Sequence, residues 1–267
     1  REALAAGLHQ LADLSLQLSE PAAAIIERGL GYCERAGEEK ARAALLTLRA
    51  RLEEDHRAVL TLQQALEVAR QARSRAAVAQ VQLDLAARIE PEPAALLLVD
   101  ALDTGELLHD DALRIAALRA LARVESPRAG VERLAYAARL AAGDERRELL
   151  FAAVEQAVGA QALDRAILLA QELVAASETA GQRAAANFVL GQRLAWSGKL
   201  PEALSAFEAS ASEHPEASAQ ASALAMAGQV HAALGQPARA RQVLEQALDV
   251  AGPGEVEIIR SLLAELP

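Results

Sequence analysis

Four positions near the C-terminal end of the chain recur at a single offset. Gly191, Gly198, Ala203 and Ser210 are followed 37 residues later by Gly228, Gly235, Ala240 and Ala247. A fixed period of that length marks stacked supersecondary units, each unable to bury its apolar face without its neighbour. Composition says what the units are made of. Hydrophobic residues make up 52% of the 267 positions, aromatics only 2%, and about a quarter of the chain is Ala. Closely packed helices are therefore favoured, and sandwiches or barrels built on Val, Ile, Thr and aromatic residues are disfavoured.

Helical periodicity runs along most of the sequence, and strand-like alternation is nearly missing. Breaks fall at regular intervals, among them Ser19-Glu20-Pro21, Gly37, the region of Asp55, Arg73-Ser74, Glu90-Pro91-Glu92-Pro93, Asp103-Thr104-Gly105 and Ser126-Pro127. They continue at Gly143-Asp144, Gly159, Gly181, Gly198 to Pro201, His214-Pro215, Gly235 to Pro237 and Gly252-Pro253-Gly254. About fifteen helices result, joined by connections short enough to make neighbours antiparallel. Pro21, Pro127, Pro201 and Pro237 each open a segment, where the missing N–H costs nothing. Carried backward from Ala240 and Ala203, the alanine ladder reads Ala166, Ala129, Ala95, Ala58 and Ala24 and predicts seven units. Three positions depart from the pattern: Glu53 stands at a turn where Gly is expected, and Arg28 and Arg133 stand where a large apolar residue is expected.

Within the unit that starts near residue 184 the order is Leu190-Gly191, Leu194, Gly198, Ala203, Phe207 and Pro215. This resembles the tetratricopeptide (TPR) repeat, in which small residues on two antiparallel helices let the backbones approach and a large residue fills the gap toward the next unit. The resemblance implies an all-α fold, a right-handed α-α superhelix of about seven helix pairs, with residues 1–267 as one solenoid. It is clearest over residues 184–251 and most degenerate over 90–143. Residues 255–266 read as a capping helix, with Val256, Ile259, Leu262, Leu263 and Leu266 on one face.

Catalytic constellations do not assemble. There is no phosphate-binding GxxxxGK[ST] loop, no GxGxxG after a strand, no HExxH and no GxSxG elbow, and a lone Cys33 excludes thiolate zinc sites and an internal disulfide. Cys33 reads as a small buried hydrophobe. His109-Asp110-Asp111 is the one dense polar trio with ligand potential, and it also fits a loop leading into an acidic helix start. The expectation is no enzyme and no cofactor. The formal charge of -10 opposes binding to a phosphate backbone. Neither a membrane-spanning run nor a signal peptide is visible, which predicts a cytoplasmic setting. The chain begins at Arg1 without Met and reads as a segment of a longer polypeptide, or as one freed of a processed tag.

In TPR arrays the first helix of each pair lines the concave groove. The resemblance therefore implies groove positions at His9, Asp13, Lys40, Thr47, Arg51, Gln80, Asp84, Arg88, Arg114, Glu148, Phe151, Glu155, Phe188, Gln192, Trp196 and Gln229. Basic residues lie toward the N-terminal half and acidic and aromatic ones toward the C-terminal half. Phe151, Phe188 and Trp196 are read two ways, as core packing or as anchors for a bound segment. The Lys and Asn set with which chaperone-binding members hold a C-terminal carboxylate is not matched, since Gln192 and Gln229 stand where Asn would be. The implied function is a protein-protein interaction scaffold that binds a peptide or partner protein. The alternative is the sensing arm of a large bacterial transcription activator of the maltose-regulator type, which the excess of Arg over Lys and the linker-free helix pairs also resemble. In that setting a small-molecule effector would be received.

Overall fold

The structure, a computed structural model, describes residues 22–266, and every regular element in them is a helix. The chain divides into two compact units, one ending at Leu140 and the other beginning at Ala141. The first contains α1 (Ala22–Ala36), α2 (Glu39–Ala50), α3 (Asp55–Gln71), α4 (Arg75–Ala86), α5 (Pro91–Leu108), α6 (Asp111–Val124) and α7 (Pro127–Leu140). The second contains α8 (Gly143–Gly159), α9 (Leu163–Ala175), α10 (Ala180–Trp196), α11 (Leu200–Glu213), α12 (Ala217–Ala233), α13 (Pro237–Val250) and α14 (Pro253–Glu265). Within each unit every helix packs on the one before and the one after it, and α2 also touches α4, α4 touches α6 and α12 touches α14. Each unit is an all-α, TPR-like stack in which α2, α4, α6, α8, α10, α12 and α14 are first helices and the others second helices. None of the helices among the described residues is long and apolar enough to cross a membrane.

The repeat is more regular than the alanine ladder. Second helices begin at residues 55, 91, 127, 163, 200 and 237, and the fourth residue of each is a buried small one: Ala58, Ala94, Gly130, Ala166, Ala203 and Ala240. Ala22 continues the series at the same spacing and is also buried. Ala24 is exposed, and Ala95 and Ala129 are only half-buried, so the ladder is off by two residues at its start and by one in the middle. The cause is a period of 36 residues before Ala166 and 37 after it. With the register corrected, the apolar residue four places on is Ile26, Leu62, Leu98, Leu134, Phe207 or Leu244, all buried; only Ala170, also buried, is small. Arg28 and Arg133 are not in the gap-filling position.

Turns differ between the units. Left-handed residues close the second helices of unit one at Gly37, Arg73 and His109, and the first helices of unit two at Gln161, Gly198 and Gly235. At two turns of unit one that lack such a residue, after α2 and after α6, a side-chain staple closes the turn. Glu53 accepts from Arg49 Nε at 2.9 Å and from the Thr61 hydroxyl eight residues on. Glu125 accepts two bonds from Arg133, also eight residues on, at 2.9 and 2.8 Å. These pairs explain the non-glycine turn at Glu53 and the arginine at 133.

The break expected at Asp103-Thr104-Gly105 does not exist. Helix α5 runs through it because Gly105 is where α6 comes closest: a Cβ there would lie 2.8 Å from Arg114 Cγ and 3.2 Å from its backbone nitrogen. The chain turns four residues later at His109, and Asp110 caps α6 by accepting from the Leu113 N–H. The polar trio is thus a helix start. Cys33 is fully buried among Ile26, Leu45 and Leu48, and burial pushes its thiol above the ordinary range.

Candidate functional site

A solenoid's first helices stand side by side, so their outward residues form clefts wherever the side chains between them are small. In unit one, α2 and α4 enclose a cleft of about 480 Å³ whose floor is Ala43, Ala44, Leu48, Ala77 and Val81. Its walls are Lys40, Thr47, Arg51, Gln80 and Asp84, so five of the groove positions read from the sequence share one cavity. Thr47 is turned inward and donates to the Ala43 carbonyl at 3.0 Å. Asp84 has only long contacts, Gln80 Nε2 at 3.4 Å and Arg51 Nη2 at 3.9 Å. Burial raises its carboxyl above the usual range, although Arg51, Gln80 and Arg88 pull the other way.

Arg88 lies outside this cleft. It pairs with Asp55 at 3.0 Å and lines a wider opening with His56, Val59, Ile89, Glu90 and Pro93. Arg114 is more deeply committed. Its guanidinium donates to the Tyr136 hydroxyl and to Asp111 and, with Arg139, flanks the Tyr136 ring at 5.7 and 5.4 Å. Burial would lower its pKa, but the bonds to Asp111 and Tyr136 outweigh that and raise it. His9 and Asp13 lie outside the described residues.

In unit two, α8 and α10 form a smaller cleft of about 230 Å³, lined by Arg147, Glu148, Phe151, Leu173, Ser177, Gln182, Ala185, Ala186 and Val189. Phe151 is 47% exposed at its edge, and Glu148 has no ion-pair partner among the described residues. Helix α10 is fixed at its start by a capping box, in which Thr179 accepts from the Gln182 N–H and Gln182 accepts from the Thr179 N–H. At its other end Trp196 is 61% exposed, and the Arg193 guanidinium sits over its ring at 4.5 Å. Arg193 is itself buried and bonds Glu155 of α8, tying the two first helices together.

Phe188 belongs elsewhere. It is half-buried, packs edge-to-face on the fully buried Phe207 with centroids 5.7 Å apart, and joins the core of Ile167, Leu194 and Ala203. Gln192 is half-buried on α10, and Gln229 is exposed on α12. Sequence reading missed Arg193. Its one local signal was the spacing of three to Trp196, which puts both on one helix face; the Glu155 pairing is tertiary.

No family model matches the chain, and no curated protein matches it in sequence. Solved structures do resemble it in shape. BtubC (BKLC) from P. vanneervenii is 15% identical with a TM-score of 0.47, covering 80% of this chain and 93% of its own. The TPR2AB domain of yeast Sti1, solved in a pHSP90 complex, is 14% identical with a TM-score of 0.39, covering 99% and 98%. The apo form of the quorum sensor NprR from B. thuringiensis is 12% identical with a TM-score of 0.36, covering 96% and 68%. At these values the likenesses carry no argument about what this chain binds.

Proposed function

We propose that the chain is a non-catalytic protein-interaction scaffold that receives a segment of a partner protein on its first-helix faces. The carrying observation is the exposure of Trp196 and Phe151 in a chain with so few aromatics. Phe151 lines the apolar cleft and Trp196 stands exposed toward the far end of the same first-helix pair, and large aromatics on such faces are enriched among binding hot spots. Residues 141–267 hold 16 acidic and 9 basic residues, and exposed Glu148 lines the cleft with no ion-pair partner among the described residues, so the partner segment is apolar with flanking basic residues. A rigid helical face spares the scaffold's own ordering cost on binding. The same reading takes residues 1–267 as one repeat array in a cytoplasmic setting, binding neither nucleic acid nor membrane. A regulator's sensing arm would use the same faces, and the parent polypeptide decides between the two settings.

The test is selection of binders from a displayed library of basic-apolar peptides, followed by titration. Trp196→Ala or Phe151→Ala should cost about 2 kcal/mol of binding and less than about 1 kcal/mol of stability, because neither side chain is buried. A stability loss of about 3 kcal/mol or more, as for an aromatic in a core, with binding unchanged, would overturn the proposal.

A further inference from the structure

The cleft between α2 and α4 has a chemistry that the interaction reading does not use. Lys40, one of only two lysines in the chain, sits in the first turn of α2, where a cation opposes the helix dipole. It has no ion-pair or hydrogen-bond partner among the described residues, while its neighbour Glu39 is taken up by Arg42 at 3.4 Å. Eleven residues along, about 16 Å at the helical rise, Arg51 marks the other end of the cleft, and beside it is Asp84 with its two long contacts. One end thus offers an exposed cation with no partner among the described residues, and the other an under-partnered, partly desolvated carboxylate. Between them the floor is alanine, leucine and valine. The volume of about 480 Å³ is in the range of small-ligand sites.

We propose that this cleft binds an elongated zwitterion, in its natural form a free peptide of three or four small apolar residues, with its carboxylate at Lys40 and its ammonium at Asp84. An extended chain of that length spans about 10–14 Å, and the lysine side chain covers the remaining distance. The peptide ammonium replaces Gln80 and Arg51 as the close partner of Asp84. This site is separate from the Trp196 face, and either proposal stands without the other.

Calorimetric titration of the full chain with Ala-Leu-Leu-Ala tests it. The free peptide binds; N-acetylation or C-amidation each weakens binding at least tenfold. Lys40→Met removes the effect of amidation and Asp84→Asn the effect of acetylation, while Trp196→Ala leaves binding intact. Melting curves of the variants control for folding, and Lys40, being exposed, leaves them unchanged. In a second arm, 11-aminoundecanoate carries the same charges without peptide groups: binding shows that charge spacing suffices, and its failure beside a binding tetrapeptide shows that the peptide backbone is read as well. Equal binding of the doubly capped peptide would mean an internal segment of a partner protein and overturns the proposal. So does the absence of any binding by the uncapped peptide.

Discussion

At the residue scale, glycine has two opposite roles in these helices, and the neighbours decide which applies. Gly191 lies inside α10 where a Cβ would fall 2.7 Å from Phe207 Cε1, and Phe207 is fully buried with nowhere to move. Replacing it with Ala gains about 1 kcal/mol of helix propensity and costs about 1–3 kcal/mol of overpacking, so Gly191→Ala should lower the melting temperature. Gly31, inside α1, would meet only the flexible end of Arg35 at 3.5 Å. Gly31→Ala therefore keeps the propensity gain and should raise the melting temperature; equal shifts in the two variants would refute the packing argument. Backbone conformation gives a third case. Gln161 holds φ +56 at the position that Gly198 and Gly235 occupy one and two repeats later, and a non-glycine residue pays for that left-handed geometry. Gln161→Gly should stabilise the chain by about 0.5–1 kcal/mol, measured by chemical denaturation.

At the scale of the helix pair, what could be read from the sequence depends on whether a position does its job with glycine. The pairs from residue 184 to 251 were legible because Gly191 and Gly228 mark close approach and Gly198 and Gly235 mark the turn. Earlier pairs keep the geometry with other chemistry: Gln161 strained into the same turn, Glu53 and Glu125 stapling theirs, and Ala94 and Gly130 one residue away from a ladder drawn at the wrong period. The first-helix positions that share the cleft of unit one came through the TPR resemblance, which supplies the groove-facing places once the helix register is set. The Arg193 bridge and the inward commitment of Phe188 were not, because each depends on a partner distant in sequence. The Glu53 staple has a measurable pH signature. Burial alone would raise its carboxyl pKa, but the bonds from Thr61 and Arg49 prevail and hold it below the usual range. A depressed folded pKa contributes stability that is full above the unfolded value of about 4.3 and is lost as the pH falls through the folded one. Glu53→Gln should cost about 1 kcal/mol at pH 7, and its difference from the parent should shrink as the pH drops below the ordinary carboxylate range. A pH-independent difference would mean that the staple is steric and not ionic.

At the scale of the whole molecule, a helical-repeat stack has no closed core, and each unit's stability is the sum of its helices and the interfaces between them. Within the second unit the last interface is the thinnest. Helix α14 contributes one buried residue, Ile259, which fills the space over Ala221, Ala225, Leu244 and Ala247, with Leu262, Leu263 and Leu266 packed at its margin. The neighbouring residue Ile258, about 100° around the helix, is 62% exposed, so α14 exchanges a large apolar surface for a smaller one. Removing residues 253–267 leaves Leu244 and the Ala221–Ala225 row facing water, a contiguous apolar patch of the kind that drives association. Burial of Ile259 alone is worth about 2 kcal/mol, and the marginal leucines add to it. The truncated chain should therefore melt lower at low concentration and self-associate as concentration rises, because a second copy can cover the same strip. Sedimentation and melting over a concentration series distinguish these effects. A truncated chain that stays monomeric and keeps its melting point would show that α13 closes the array unaided and that α14 covers nothing.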